Sequence, residues 1–199
     1  MKTEIEVKFL NVDIDDVRGR LEAAGAHLEQ PMRLMKRALI EESEHRAEHA
    51  FIRVRDEGDK VTLTFKRRVD REASRIDSVQ EIEVRVSDFD DTVELLKQAG
   101  WEYKTFQESK RETWVLDGCE VVIDEWPWIA PYIEIEGESE TAVQAAAQKL
   151  GFDWATVVIG HIDAVYELEY EFAPNFRGVI DVKEVRFGNP RPEQFRSRT

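Results

Sequence analysis

Apolar residues along the chain follow two alternating periods. In "EIEVKFLNVDIDDVRGRLEAAGA" (residues 4–26), Ile5, Val7 and Phe9 recur every second position. Ile14, Val17, Leu21 and Ala24 then recur at helical spacing, and Gly25 follows. The same sentence is written again in "EIEVRVSDFDDTVELLKQAGW" (residues 81–101), where Ile82, Val84 and Val86 give way to Phe89, Val93 and Leu96 before Gly100. A third copy, "EIEGESETAVQAAAQKLGF" (residues 134–152), carries Val143, Ala146, Ala147 and Leu150 before Gly151. A change of period from 2 to about 3.6 predicts a strand followed by an amphipathic helix. Asp or Ser at each helix start and Gly at each end supply the caps.

Between these units the alternation predicts hairpins. Residues 50–68 form two arms around "EGDK", and residues 111–126 form two arms around Asp117-Gly118. Residues 32–42 read as a further strand, the polar stretches 43–49 and 69–78 as loops, and 160–170 as a short helix. The total is about eight strands with three packed helices, an antiparallel α+β domain. After Phe172 the chain becomes rich in Pro and Arg. Residues 1–172 are therefore expected to form the domain, and 173–199 an arm or cap with one short strand at 178–187.

Strand parity sharpens this picture. Side chains alternate across a strand. Opposite the apolar faces stand Glu4, Glu6 and Lys8; Arg53 and Arg55; Lys66; Glu81, Glu83 and Arg85; Arg111; Asp124; and Glu134 and Glu136. One wet sheet face explains a single such strand. Across seven strands, with helices required on the apolar side, the charged faces look toward one another. About eight twisted antiparallel strands tend to close. The expected fold is a closed eight-stranded β-barrel, a tunnel, with helices outside and charges inside. Such a lining needs every charge paired or metal-bound. Carboxylates suit Mg²⁺ or Mn²⁺, and Arg and Lys suit phosphate oxygens. The mixture fits a polyanion that carries divalent cations.

Composition removes several alternatives. The formal net charge of −14 over 199 residues argues against a nucleic-acid binder. No apolar run approaches the ~20 residues of a membrane span, and the charged N-terminus lacks a signal-peptide core. Cys119 is the single cysteine, so no internal disulfide forms, and a reducing cytoplasm is expected. His45–His49 fits His-x-x-Glu-His but lies in a polar stretch before a strand, so it reads as solvated loop rather than zinc site. No Gly-x-x-x-x-Gly-Lys-Ser/Thr loop is present.

"EIEVK" resembles the Glu-x-Glu-x-Lys signature of the CYTH domain, the triphosphate tunnel metalloenzymes that include class IV adenylate cyclases and thiamine triphosphatases. Behind it, in order, come "IRVRDEGDKVTLTFK", "EIEV", "KRETWVL", "VVIDEW" and "YIEIEG". The resemblance covers roughly residues 1–170. It implies an eight-stranded tunnel that binds a triphosphate with Mg²⁺ or Mn²⁺. Glu4, Glu6, Asp124, Glu134 and Glu136 are then metal-side residues, and Lys8, Arg53, Arg55, Lys66 and Arg111 grip phosphate. Glu81 and Glu83 match acidic positions of varying role. Glu4, Glu6 and Lys8 are the expected catalytic set. Two departures stand out: "MRLMKRALI" replaces the Asp-x-Tyr of the second strand, adding Lys36 and Arg37, and "WPWIAPYIEIEG" replaces a Gly before the last Glu-x-Glu. The expected activity is metal-dependent hydrolysis of tripolyphosphate, thiamine triphosphate or a nucleoside triphosphate. The alternative is cyclisation of ATP to cyclic AMP and pyrophosphate. The expected partner is a small triphosphate, with neither nucleic acid nor membrane, and the family leaves room for a homodimer.

Overall fold

The computed structural model describes residues 2–68 and 79–198, with side chains from Ile5 onward. The expected loop at 69–78 and the side chain of Glu4 lie outside the described residues.

In chain order the elements are β1 (Lys2–Glu4), β2 (Glu6–Phe9), α1 (Ile14–Ala23), β3 (His27–Ile40), α2 (Ser43–Ala47), β4 (Ala50–Asp56), β5 (Val61–Arg68) and β6 (Val79–Val86). Then come α3 (Phe89–Gln98), β7 (Thr105–Leu116), β8 (Cys119–Glu125), β9 (Tyr132–Glu136), α4 (Glu140–Lys149), α5 (Ile162–Glu169), β10 (Tyr170–Phe172), β11 (Glu184–Val185) and β12 (Phe195–Ser197). The result is an α+β architecture built on one large antiparallel sheet. Its strand order is β1-β6-β5-β4-β3-β7-β8-β9-β2, with β11 added in parallel beside β7. The two ends of that path, β1 and β2, are neighbours in sequence, separated by Ile5 alone.

All three repeats form, and their caps explain their lengths. Asp13, Asp88 and Ser139 each accept a hydrogen bond from the backbone N–H three residues on. At the other end the chain reverses through Gly25, Gly100 and Gly151, with φ of 78°, 95° and 76°. In each case the glycine N–H and the next N–H return to carbonyls of the last turn, as from Ala26 to Leu21 and from Trp101 to Leu96. This closure needs a left-handed residue, which glycine adopts without a Cβ penalty. Asp117 and Gly118, both at positive φ, join β7 to β8 in the tight turn that their residue types favour.

The helices cover the apolar face. Val17 and Leu21 of α1, Val143, Ala146 and Ala147 of α4 and its C-cap Leu150 pack on Val7, Phe9, Val121, Ile123, Ile133 and Ile135. Phe89 and Leu96 of α3 pack on Ala38, Ile40, Ile52 and Val54. Full burial of such side chains stabilises by about 1.5–3 kcal/mol each. This is why the charged faces are left on the other side of the sheet.

Three expectations change. Residues 43–47 form the short helix α2 rather than loop, since Glu42 and His45 supply a reciprocal capping box. Strand β3 begins at His27, five residues before the expected start, because it pairs along β7 through two register shifts. The expected strand at 178–187 is a 3-10 turn, Val179–Asp181, followed by the two-residue β11. Val179, Val185 and Phe195 are buried with Trp126, Tyr132, Val165 and Tyr166. The residues after Phe172 thus complete a second core over α5.

Candidate active site

The charged faces surround one cavity of about 680 Å³. Glu6, Lys8, Arg53, Arg55, Lys66, Glu81, Glu83, Arg111, Asp124, Glu134 and Glu136 all line it. The structure therefore brings together every site residue expected from sequence whose side chain is described. Glu4 is placed only by its backbone, on β1 opposite Val79. Arg85 is on the same strand face by parity but lines a separate groove with Asp56 and Asp59. Lys110 points away and pairs with Glu125.

Strand register sets the acidic wall. Glu6 stands opposite Glu136 on β9, which stands opposite Glu120 on β8. Lys8 stands opposite Glu134, one step along. The Lys8 ammonium, 1% exposed, lies 3.0 Å from Glu6 and 3.2 Å from Glu134. Burial pulls the lysine pKa down, but Glu134 and Glu6 outweigh it and hold it above its usual value. Burial likewise raises Glu6, and Lys8 and Lys66 overcome it, leaving a pKa of about 2. Arg111 makes a two-pronged contact with Asp124 at 2.7 and 2.5 Å and reaches Glu134 at 2.9 Å. It stays charged despite burial because those carboxylates face it.

The basic wall is built from β4 and β5. Arg53 lies 3.6 Å from Glu83, and Thr64 donates to the same Glu83 oxygen at 2.8 Å. Arg55 is paired with Glu57 at 2.5 Å, and Lys66 with Glu81 at 3.4 Å. Burial raises Glu83, but Thr64, Arg55 and Arg53 hold it below the usual carboxylate value. Glu81 and Glu83 thus orient the cations rather than forming a separate acidic site.

Sequence reasoning missed several lining groups. Glu120 shares the parity of Asp124, so alternation alone could have found it, and Arg37, noted in the sequence only as a departure, lines the cavity as well. His161 and Asp163, at the start of α5, enter from outside the sheet, and no strand pattern could reveal them. Burial pushes His161 well below the ordinary histidine value, aided by Arg68, Lys66 and Lys8. Burial pushes Asp163 up to about 6. His45 serves structure, capping α2 and meeting the rings of Phe65 and Trp101, whereas His49 lines the cavity.

The acidic wall suits a hard cation in chemistry, since it offers only carboxylate oxygens. Burial, with Glu136 adding to it, raises the Glu120 carboxyl against the pull of Arg111. Among the described residues no three His, Cys, Asp or Glu side chains are drawn together as a metal centre. Glu6, Asp124 and Glu134 instead turn to Lys8 and Arg111. The donors and their strand placement fit a divalent cation. Among the described residues no helix is long and apolar enough to cross a membrane.

Comparison with known proteins agrees with this arrangement. No curated protein matches the chain. A conserved hypothetical protein from Pyrococcus furiosus superposes with a TM-score of 0.67 at 20% identity, covering 80% of this chain and 98% of that one. A Vibrio parahaemolyticus protein, provisionally named an adenylate cyclase, gives 0.69 at 12% identity, covering 83% and 98%. A Hippeastrum protein, provisionally named an adenylyl cyclase and described as having a dominant triphosphatase activity, gives 0.54 at 14% identity, covering 83% and 95%. These likenesses establish the fold. The CYTH domain model matches residues 2–157, so the chain belongs to the CYTH family.

Proposed function

We propose that this protein is a metal-dependent hydrolase of a triphosphate-bearing substrate, held in a tunnel formed where the sheet closes through the β1–β2 run. Closure is supported by the strand path, whose two ends are halves of one segment. The observation that carries the function is the division of the cavity lining. Arg53, Arg55 and Lys66 on β4 and β5 line one part of a cavity of about 680 Å³, and Glu6, Asp124, Glu134 and Glu136, with Lys8 and Arg111 paired among them, line another. A lining of both signs suits a polyanion that brings its own cations.

Mg²⁺ or Mn²⁺ held by Glu4, Glu6, Asp124, Glu134 and Glu136 would neutralise phosphate charge and orient water. Arg53, Arg55 and Lys66 hold phosphate oxygens, with Glu81 and Glu83 fixing their reach. Lys8 and Arg111 sit between the acidic wall and the phosphates, so they neutralise charge that develops on the transferred group. Residues 173–199 act as a cap, since Arg177 and Ile180 line the same cavity.

The test is incubation with Mg²⁺ or Mn²⁺ and, in turn, tripolyphosphate, thiamine triphosphate and ATP. Orthophosphate release without cyclic AMP is expected. Cyclic AMP with pyrophosphate would replace this reading with the cyclase one, and no turnover of any triphosphate would remove both.

A further inference from the structure

Arg37 differs from five other cations on the cavity. No carboxylate oxygen lies within 4.0 Å of its guanidinium among the described residues, whereas Lys8, Arg53, Arg55, Lys66 and Arg111 each have one. It stands directly opposite Arg55 in the β3–β4 register. Like charges facing each other across a sheet repel. Arg55 is paired with Glu57, whereas the acid that acts on Arg37, Asp163, makes no ion pair with it.

The side chain is nonetheless held in place. Its Nε donates to Gln107 Oε1 at 2.8 Å, and its guanidinium lies 4.3 Å over the ring of Trp126. Gln107 is 1% exposed, and its amide donates to Thr105 and to the Val179 carbonyl, which leaves its oxygen for Arg37. The buried indole N–H of Trp126 has no acceptor among the described residues. Arg37 is thus a half-buried cation with no carboxylate in direct contact, and an anionic ligand would supply that contact.

We propose that Arg37 is an anion anchor on β3 that holds the phosphate group at the α5 end of the cavity and makes the site prefer inorganic oligophosphates over triphosphates with an organic group there. This rests on the triphosphate reading above. The aromatic rings near Arg37 offer a heterocycle little: the guanidinium covers Trp126, His161 sits edge-on to Phe51 at 5.6 Å, and Tyr132 is 1% exposed. The guanidinium keeps its terminal NH₂ groups for a bidentate contact, which suits a phosphate.

Calorimetry without metal, using tripolyphosphate and ATP as probes, tests the proposal. The native protein should bind tripolyphosphate more tightly than ATP. Arg37→Gln should lose about tenfold or more of tripolyphosphate affinity, with a smaller loss for ATP, and Arg37→Lys should recover part of it. Equal losses for the two ligands, or none, would overturn the role of Arg37 while leaving the triphosphate reading intact. Failure of the native protein to bind either ligand even with Mn²⁺ added would overturn that broader reading instead. Should Arg37→Gln not fold, thermal stabilisation of the native protein decides: protection by ATP equal to or above that by tripolyphosphate refutes the preference.

Discussion

Lys8 and Glu134 face each other in register on β2 and β9, with Nζ 3.2 Å from Oε1, and the same ammonium holds Glu6 at 3.0 Å. One buried lysine thus compensates two carboxylates on neighbouring strands. Lys8→Met leaves both without it and should lower unfolding free energy by about 3–5 kcal/mol at pH 7. The loss should shrink near pH 4, where the stranded acids take up protons. In the native protein Glu6 is held near 2 against an ordinary 4.5, so its contribution is complete above about pH 4.5 and fades as pH falls toward 2. Denaturant titrations at the two pH values check this; identical losses would contradict it.

Arg53 and Lys66 should contribute to ligand binding more than to folding. Replacing either with Met should weaken tripolyphosphate binding by about ten- to a hundredfold. Calorimetry at low and high salt measures this, with melting curves as the folding control. Changes under twofold in both variants would argue against a phosphate-holding wall on β4 and β5.

Asp163 gives a pH dependence of opposite sign. Burial raises its folded pKa to about 6 from an ordinary 3.8, so the fold binds that proton more tightly than the unfolded chain does. Its ionisation therefore costs stability as pH rises through about 6. Asp163→Asn can still accept the hydrogen bond from the Val179 N–H. It should be more stable than the native protein by about 3 kcal/mol at pH 8 and equal to it near pH 3.5. Melting curves across that range would reveal a pH-independent difference if the assignment were wrong.

The acidic row should set metal demand. Glu136→Gln should raise the Mn²⁺ concentration for half-maximal tripolyphosphate cleavage by about tenfold, and Glu120→Gln by less. The Mn²⁺-induced shift in melting temperature gives a second readout. An unchanged Mn²⁺ requirement in Glu136→Gln would exclude that residue from the metal side.

Gly137 closes β9 against the start of β8. A Cβ there would lie 2.9 Å from Cys119 Sγ and 3.1 Å from a Val143 methyl carbon. Gly137→Ala should cost about 1–3 kcal/mol through overpacking. Adding Cys119→Ala removes the closer clash and should make the pair less destabilising than the sum of the two changes. Strict additivity by denaturant unfolding would show that the crowding is relieved some other way.

Local patterns in the sequence determined the three strand–helix units, their caps, both tight hairpins and the parity that puts Glu6, Lys8, Arg53, Arg55, Lys66, Arg111, Asp124, Glu134 and Glu136 on one face. Those features depend on spacing of two or 3.6 residues and on residue types at turns, so they are written within a few positions of where they act. Tertiary structure decided the rest. Register between strands far apart in sequence aligned Glu6, Glu136 and Glu120, and set Arg37 against Arg55. Packing of α5 and the residues after Phe172 on Trp126 and Tyr132 carried His161 and Asp163 to the cavity. Such contacts join segments up to more than a hundred residues apart, and which carboxylate pairs with which cation follows from that long-range geometry rather than from any local signal.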